Sequence, residues 1–376
     1  ILCLLTALML FTIGCPEADD DDASDDDTTG DDDTGSDDDT GDDDTGDDDT
    51  GDDDTGDDDT GDDDTGDDDT AFDPCLQTGD LGLENWAVDL DKSENLYDDA
   101  AAWPIALAVG NVEGSAPAHV IVERNDGDVG GPLAVEIVDT ADIAAGSVHV
   151  FELPRRDVDG EPVSAGVDDG TQTWLSSRAF RVTSDVPVAA WQFNPLQDRF
   201  SNDATRLFPS STLGDDHVVV TYFPSGPNPL PGPLNRGYVT VVGTAAGTQV
   251  DVTPTYDLAP GDCVPEVQPD IGILAGTTQT FTLGPFDTLN LETVLDMGLG
   301  GGAWGDLTGT VVSSDQPVAV FTGIDLTMVV GPDVLAECCA DHIEQQVPPV
   351  DAMGLDFAVP HSSVRGVAVV EPDPVS

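Results

Sequence analysis

Beyond residue 70 the chain alternates apolar and polar side chains in short runs that Gly, Pro, Asp or Asn separates. A period of two residues predicts half-buried strands. The predicted strands are residues 119–123, 133–138, 147–153, 179–183, 188–193, 217–223, 238–242, 249–254, 278–283, 289–294, 308–312 and 318–322. No stretch has a clear helical period of 3.6 residues, although residues 341–347 could form a short helix.

The alternating region repeats itself along the sequence. The segment TSDVPVAAW at 183–191 matches SSDQPVAVF at 313–321, an offset of 130 residues, and IAAG at 143–146 matches ILAG at 273–276. The segment RGYVTVV at 236–242 is similar to RGVAVV at 365–370.

The shared Ser-Asp-x-Pro element is predicted to start a strand. Asp bonds nearby backbone amides in a turn, and Pro at the first position of a strand removes no ladder hydrogen bond. We therefore predict two copies, about 118–236 and 237–364, and a third copy that begins near Arg365 and is truncated at Ser376.

These patterns predict an all-β fold within residues 71–376. We expect tandem repeated antiparallel β modules that resemble sandwiches, since about seven short strands per 130 residues suit that architecture. A β-propeller built from the same strands is the alternative. The chain contains 40 Gly and 27 Pro, which favour short strands joined by turns over long helices.

The N-terminal residues predict export and a lipid anchor. Residues 1–14 are almost continuously apolar but too short to span a bilayer, so they fit a signal peptide whose first residues have been lost from the sequence. The run ends in Thr-Ile-Gly followed by Cys15, which resembles a bacterial lipoprotein processing site. Cys15 is therefore the predicted lipidation site, on the bacterial outer membrane or cell surface, and Cys3 is removed with the signal.

Residues 15–70 form the predicted linker. They consist largely of Asp-Asp-Asp-Thr-Gly repeats and hold 32 of the chain's 77 acidic residues and none of its ten basic residues. With almost nothing apolar to bury, the segment is predicted to be disordered, and its charges extend it. Calcium loops space their ligands and end in Glu, so these consecutive aspartates predict no defined calcium site.

The net charge of −67 disfavours partners that are themselves strongly negative. A nucleic-acid backbone and an anionic membrane surface both repel such a chain. We expect no nucleic-acid partner, and a membrane contact that depends on the lipid anchor.

Cysteines and one acidic cluster are the candidates for covalent or metal chemistry. After export, Cys75, Cys263, Cys338 and Cys339 would remain, and disulfides are the expected state, with the pairing open among three connectivities. Adjacent cysteines rarely bond to each other, so Cys338 and Cys339 should each pair elsewhere, with Cys263 as a candidate partner of one. Asp341, His342 and Glu344 are weak candidates for zinc ligands, because their spacing fits no common zinc module. We expect neither a metal nor another cofactor.

Several segments resemble the N-terminal domain of the IgGFc-binding protein family. They are TSDVPVAAWQFNPL at 183–196, SNDATRL at 201–207, LGDDHVVVTY at 213–222, DLTGTVVSSDQPVAVFTG at 306–323 and CCADHIEQQVPPV at 338–350. The resemblance covers roughly residues 100–376. It implies an extracellular, non-enzymatic domain and defines no binding residues.

The favoured function is therefore a tethered binding or adhesion module for an extracellular protein or glycan. No nucleophile elbow, zinc-protease helix, phosphate loop or dinucleotide fingerprint occurs, so we predict that the chain is not an enzyme. The candidate recognition loops are residues 223–235 and 295–305, because loops at the ends of strands commonly carry recognition. A structural envelope protein that associates with itself is the alternative, followed by a surface hydrolase using scattered Asp, Glu and His.

Overall fold

A computed structural model describes residues 81–92, 103–112, 116–158, 173–196, 202–224, 236–295, 305–327 and 341–353. These residues lie within one compact unit, Phe72–Ser376. The expected all-β fold is confirmed: the described residues form two curled antiparallel sheets and two short 3₁₀ turns, Ser210–Thr212 and Val350–Ala352. A search of this described part finds no helix with the length and apolarity needed to cross a membrane.

Fifteen strands are present in the described residues. They are β1 (Gly82–Ala87), β2 (Ala106–Asn111), β3 (Ala118–Asn125), β4 (Val135–Ile143), β5 (Ser147–Glu152), β6 (Trp174–Ser176), β7 (Phe180–Asn194), β8 (Asp203–Leu207), β9 (Gly214–Val218), β10 (Gly237–Gly243), β11 (Thr248–Thr253), β12 (Gln279–Leu283), β13 (Thr288–Glu292), β14 (Val311–Thr327) and β15 (Asp341–Val347).

The two sheets have the same topology. The first has the order β4-β3-β7-β2-β5, with β1 and β8 also paired to β7. The second has the order β12-β11-β14-β10-β13, with β9 and β15 also paired to β14. Each sheet is therefore one structural repeat: residues 82–207 form the first repeat and residues 214–347 the second. The first repeat starts upstream of residue 118, because β1 and β2 complete its sheet.

One strand that precedes β7 in the sequence belongs to the second sheet. β6 lies in the first half of the sequence but pairs with β13 at the edge of the second sheet, with Leu175 opposite Leu289. Both sheets hold seven or eight strands, so they are large curled sheets and differ from four-stranded propeller blades.

Each repeat is organised around one long strand. β7 has 15 residues and β14 has 17, and each merges two strands that the sequence predicted separately. The Ser-Asp-x-Pro element lies in the middle of these strands, so the expectation that it starts a strand is wrong. Asp185 Oδ1 accepts from the His119 N–H (2.7 Å), and Asp315 Oδ1 from the Gln249 N–H (2.8 Å). In both long strands the Asp carboxylate accepts this hydrogen bond at the position where the strand changes from one paired neighbour to another. The long strand therefore continues past Pro.

Residues 341–347 form a strand, β15, and the predicted short helix is wrong. The residues that alternate inward are His342, Glu344 and Gln346, all buried. Because the buried side chains are polar, the alternation is invisible to a hydrophobic pattern.

Residues 143–146 and 273–276 match in sequence but do not occupy equivalent positions in the two repeats. Gly146 follows β4 and its N–H donates to the Asn111 carbonyl, whereas Gly276 precedes β12 and donates to the Pro254 carbonyl. The structural counterpart of Gly146 is Phe286, whose N–H donates to the carbonyl at the end of β10. The matching segment at 365–370 lies outside the described residues, as do residues 1–70.

Two hydrophobic cores stabilise the unit. One lies within the second repeat and includes Val241, Val250 and Val320. The other contains the interior of the first repeat and also Phe286 and Phe321 from the second. Burying both faces of the second sheet against apolar partners is the main source of stability in such a stack.

Candidate functional site

Residues that border three segments of the chain lie close together at one end of the second repeat. Pro224 Cγ lies 3.1 Å from the position that a Cβ on Gly305 would take, and the Thr327 hydroxyl donates to the Phe223 carbonyl (2.7 Å). These residues flank segments 225–235, 296–304 and 328–340, which lie outside the described part of the chain. We call Phe223, Pro224, Gly305 and Thr327 the loop roots.

Arg236 fixes this end of the sheet. Its N–H donates to Asp325 Oδ2 (2.8 Å), its Nη1 donates to the Thr293 carbonyl (2.7 Å), and its Nε lies 3.5 Å from Glu292 Oε2. Arg236 is buried, so these charge-assisted contacts operate in a low dielectric. The backbone and side chain of Arg236 thereby connect the start of β10 with the ends of β13 and β14 beside the loop roots.

A buried polar network continues from this end towards the first repeat. His342 Nε2 lies 3.3 Å from Glu344 Oε2, and the Gln192 amide donates to Glu344 Oε1 (3.1 Å). The Tyr238 and His342 rings are stacked, with centroids 6.3 Å apart. The network contains residues of both repeats, because Gln192 belongs to β7.

Burial shifts the acid–base properties of this network. It raises the pKa of Glu344, and the contact with His342 opposes that rise. It also raises the pKa of Tyr238 well above its usual value, and the nearby carboxylates of Glu344 and Asp325 add to the effect. In both groups burial therefore disfavours the charged form.

The first repeat has its own charged cluster at the corresponding end. Lys92 Nζ contacts Asp89 Oδ1 (2.7 Å) and Asn194 Oδ1 (2.5 Å), and all three residues are buried. Burial, together with the charge of Asp89, raises the pKa of Asp157 to about 6. Arg155 holds the same carboxylate through its Nη2 (2.8 Å).

A cleft of about 250 Å³ lies at the opposite end, between the two repeats. Its lining includes Asp128, Gly131 and Ala246. The Asp287 carboxylate in it accepts from the N–H groups of Gly130 (3.3 Å) and Gly284 (2.7 Å). The Asp287 carboxylate thus stabilises the two turns that contain Gly130 and Gly284.

The structure separates the three weak metal candidates. His342 and Glu344 point into the buried network, whereas Asp341 is exposed on the other side of β15. No group of three or more His, Cys, Asp or Glu among the described residues could hold a metal ion.

The predicted disulfides stay a prediction. Cys75, Cys338 and Cys339 lie outside the described ranges, and so does the predicted lipid site Cys15. Cys263 is partly buried, burial raises its pKa to about 11, and it has no disulfide to any other described residue.

The histidines occupy different environments. His119 is exposed and its Nδ1 lies 2.7 Å from Asp142 Oδ1. His149 packs edge-on against Phe151, with ring centroids 4.5 Å apart. His217 is buried, and burial lowers its pKa. The structure does not bring these three histidines together with His342, and His361 lies beyond the described residues.

Arg236 and Tyr238 were not identified from the sequence as candidate site residues. The only signal was the repeated segment beginning Arg-Gly, which placed Arg236 ahead of a strand without indicating what it contacts. Its partners come from β13 and β14, so the cluster exists only once the sheet has formed.

Comparison with known proteins identifies one family. Residues 203–372 match the family model described as IgGFc binding protein. The match starts at β8 and includes the whole second repeat with its loop roots. No curated protein and no solved structure matches the chain.

Proposed function

Because residues 203–372 belong to the IgGFc binding protein family, we propose that the chain is an extracellular binding protein whose ligand contacts the loop-bearing end of the second repeat. The family match carries this proposal, and the geometry of the second repeat supports the proposed location of the ligand site. The loop roots lie close together, and Arg236 bonds Thr293 and Asp325 beside them. A rigid support lowers the entropy lost when loops bind.

The ligand class that we propose is an extracellular protein or glycan, bound without catalysis. The acidic residues beyond position 70 give this region a negative charge of its own, which favours ligands without a dense negative charge. The buried network at the loop roots is consistent with a structural role, because Gln192 and His342 both contact the Glu344 carboxyl inside it.

A binding panel tests this proposal. The full chain is probed against immunoglobulin Fc, mucins, glycans and bacterial surface polysaccharide. We expect saturable binding to one class, and loss of that binding when residues 225–235 or 296–304 are replaced by Gly-Ser segments of equal length. The control replaces Ala245 and Ala246, in the turn at the far end of β10, with Gly and Ser. Binding that survives both loop replacements would contradict the proposed site.

We also propose that a lipid on Cys15 attaches the chain to the bacterial outer membrane, with residues 16–70 as the spacer. The apolar run that ends at Cys15 and the acidic repeat after it support this attachment. Metabolic labelling with a clickable fatty acid tests it. Label should be incorporated in the wild type and in Cys75→Ser, and lost in Cys15→Ser; label retained in Cys15→Ser would contradict the anchor.

A further inference from the structure

The two repeats contact each other through different surfaces. The first repeat contributes β1 and β8: the Trp86 ring lies 5.1 Å from the Phe286 ring, and Asp203 Oδ2 accepts from the Glu344 N–H (2.9 Å). The second repeat contributes the face of β10, β13 and β15 that holds Tyr238. The contact is therefore head-to-tail, and each repeat has one surface of each kind.

The contacted face of the second repeat is fully covered. Phe321 lies opposite Thr240 in the ladder between β14 and β10, and Asn290 lies opposite Thr240 on the other side. All three are buried, and so is Val242 on the same face. We call this surface the acceptor face of the second repeat.

The equivalent face of the first repeat is apolar, with exposed valines beside a partly exposed Trp191 whose ring lies 5.4 Å from the Arg206 guanidinium. In its ladder Trp191 lies opposite Ala108, and Val150 lies opposite Ala108 on the other side, so Trp191 and Val150 correspond to Phe321 and Asn290. Val148 is 61% exposed and Val112 is 50% exposed. Both valines and Trp191 surround Gly110, whose second-repeat counterpart is the buried Val242. Val112, Val148, Val150 and Trp191 form the acceptor face of the first repeat.

The complementary surface of the second repeat is exposed too. Trp86 lies opposite Arg181 and Val218 lies opposite Val311, so Trp86 and Val218 are equivalent positions. Trp86 is 1% exposed against the second repeat, whereas Val218 is 36% and Val220 is 67% exposed. Val311 beside them is 40% exposed. Val218, Val220 and Val311 form the donor strip.

We propose that the acceptor face of the first repeat binds the donor strip of a second copy of this chain. The arrangement is the one that already joins the two repeats within a single chain, so the occupant follows from continuity with that interface. Because donor and acceptor are different surfaces, the contact does not close on itself as a two-fold dimer would, and copies add head-to-tail. Two exposed apolar patches on one molecule are otherwise a cost to solubility.

The net charge of −67 sets the conditions for this association. Like-charged copies repel one another over distances that salt shortens, whereas the burial of valine and tryptophan is little affected by salt. Association should therefore strengthen as the salt concentration rises.

Sedimentation velocity with the full chain and two variants tests the proposal. The acceptor variant is Val148→Asp with Val150→Asp, and the donor variant is Val220→Asp with Val311→Asp. All four positions are exposed, and circular dichroism verifies that each variant folds. We expect wild-type protein to form larger species as concentration and salt rise, and each variant alone to lose this behaviour. An equal mixture of the variants retains one intact donor and one intact acceptor, so it should form a one-to-one dimer and nothing larger.

Three results would overturn the proposal. The first is a wild-type chain that stays monomeric at every concentration and salt level, as it would if residues 354–376 or an unrelated partner covered the donor strip. The second is association that neither pair of substitutions weakens. The third is a mixture of folded variants that fails to restore the dimer, which would indicate a symmetric contact in place of the head-to-tail one.

Discussion

Phe286 shows how the two repeats differ at a single equivalent position. Its φ is 70°, in the left-handed region that favours glycine, and the first repeat has Gly146 there with a φ of 73°. A phenylalanine is strained in this conformation, yet its ring is fully buried against Trp86 and lies 5.3 Å from the Arg181 guanidinium. The second repeat therefore tolerates backbone strain in order to place a large apolar group between the repeats.

Replacing Phe286 separates packing from strain. We expect Phe286→Ala to lower the free energy of unfolding by about 3–5 kcal/mol, the usual cost of removing a buried phenylalanine ring. Phe286→Gly loses the same ring but relieves the positive φ, so it should be more stable than Phe286→Ala by about 1 kcal/mol. Urea unfolding measures both, with the exposed Val150→Ala as control. An alanine variant more stable than the glycine variant would show that this backbone is not strained.

Asp157 predicts a pH dependence of stability. Its pKa in the folded chain is about 6 against an ordinary value of 3.8, so between these values the folded state binds more protons than the unfolded state. Burying the Asp157 carboxyl therefore costs least below about pH 4, where it is protonated in both the folded and the unfolded state. Its contribution to the free energy of unfolding falls as the pH rises towards 6. Asp157→Asn should gain stability relative to wild type over that interval. Parallel stability curves for the two proteins from pH 4 to 7 would contradict the shift.

At the scale of elements, β1, β2, β6, β8 and β15 were not predicted as strands, whereas the other ten strands of the described residues were predicted from alternating apolar residues. Val250 and Val252 in β11 are an example, since both are buried between exposed Gln249 and Asp251. β15 could not be predicted in this way, because its inward residues are polar and their partners, such as Gln192 and Thr205, lie about 140 or more residues earlier in the chain. The long strands β7 and β14 were divided at Pro because the pattern cannot show that a distant backbone amide bonds the Asp two residues before it.

The aspartate in each long strand should contribute measurably. Asp315→Ala removes the acceptor of the Gln249 N–H, and we expect a loss of about 1 kcal/mol in the free energy of unfolding, since this bond is partly solvated. Asp315→Asn should recover part of the loss because the amide oxygen still accepts. The exposed Asp215→Ala in β9 is the control. Equal stability of Asp315→Ala and wild type would show that this hydrogen bond does not stabilise the fold.

At the scale of the whole molecule, the repeat was visible in the sequence but its contact surfaces were not. The match between residues 183–191 and 313–321 predicted two related modules, and the topology confirms equivalent central strands there. Which face of each module is covered depends on residues such as Trp86 and Phe286, which have no resemblance to their counterparts Val218 and Gly146. Loop roots could be placed only approximately, because Arg236 binds residues that are 57 and 89 positions later in the chain.

The shared core predicts that the two repeats unfold together. Residues of both repeats form one hydrophobic cluster, and Gln192 connects them by a buried hydrogen bond to Glu344. Calorimetry of the full chain should therefore give one transition for residues 82–347. Trp86→Ala should lower its midpoint or split it in two, whereas Val112→Ala, at an exposed position, should do neither. Two well-separated transitions in the wild type would contradict a common core.

Hydrogen exchange of the full chain, with and without the ligand that the binding panel identifies, tests whether the loop-bearing end of the second repeat is the recognition surface. We expect the ligand to protect peptides containing the loop roots Phe223, Gly305 and Thr327, while peptides containing the turn at residues 244–247 exchange as before. Protection centred on that turn, with unchanged exchange at the loop roots, would contradict recognition by the loop-bearing end of the second repeat.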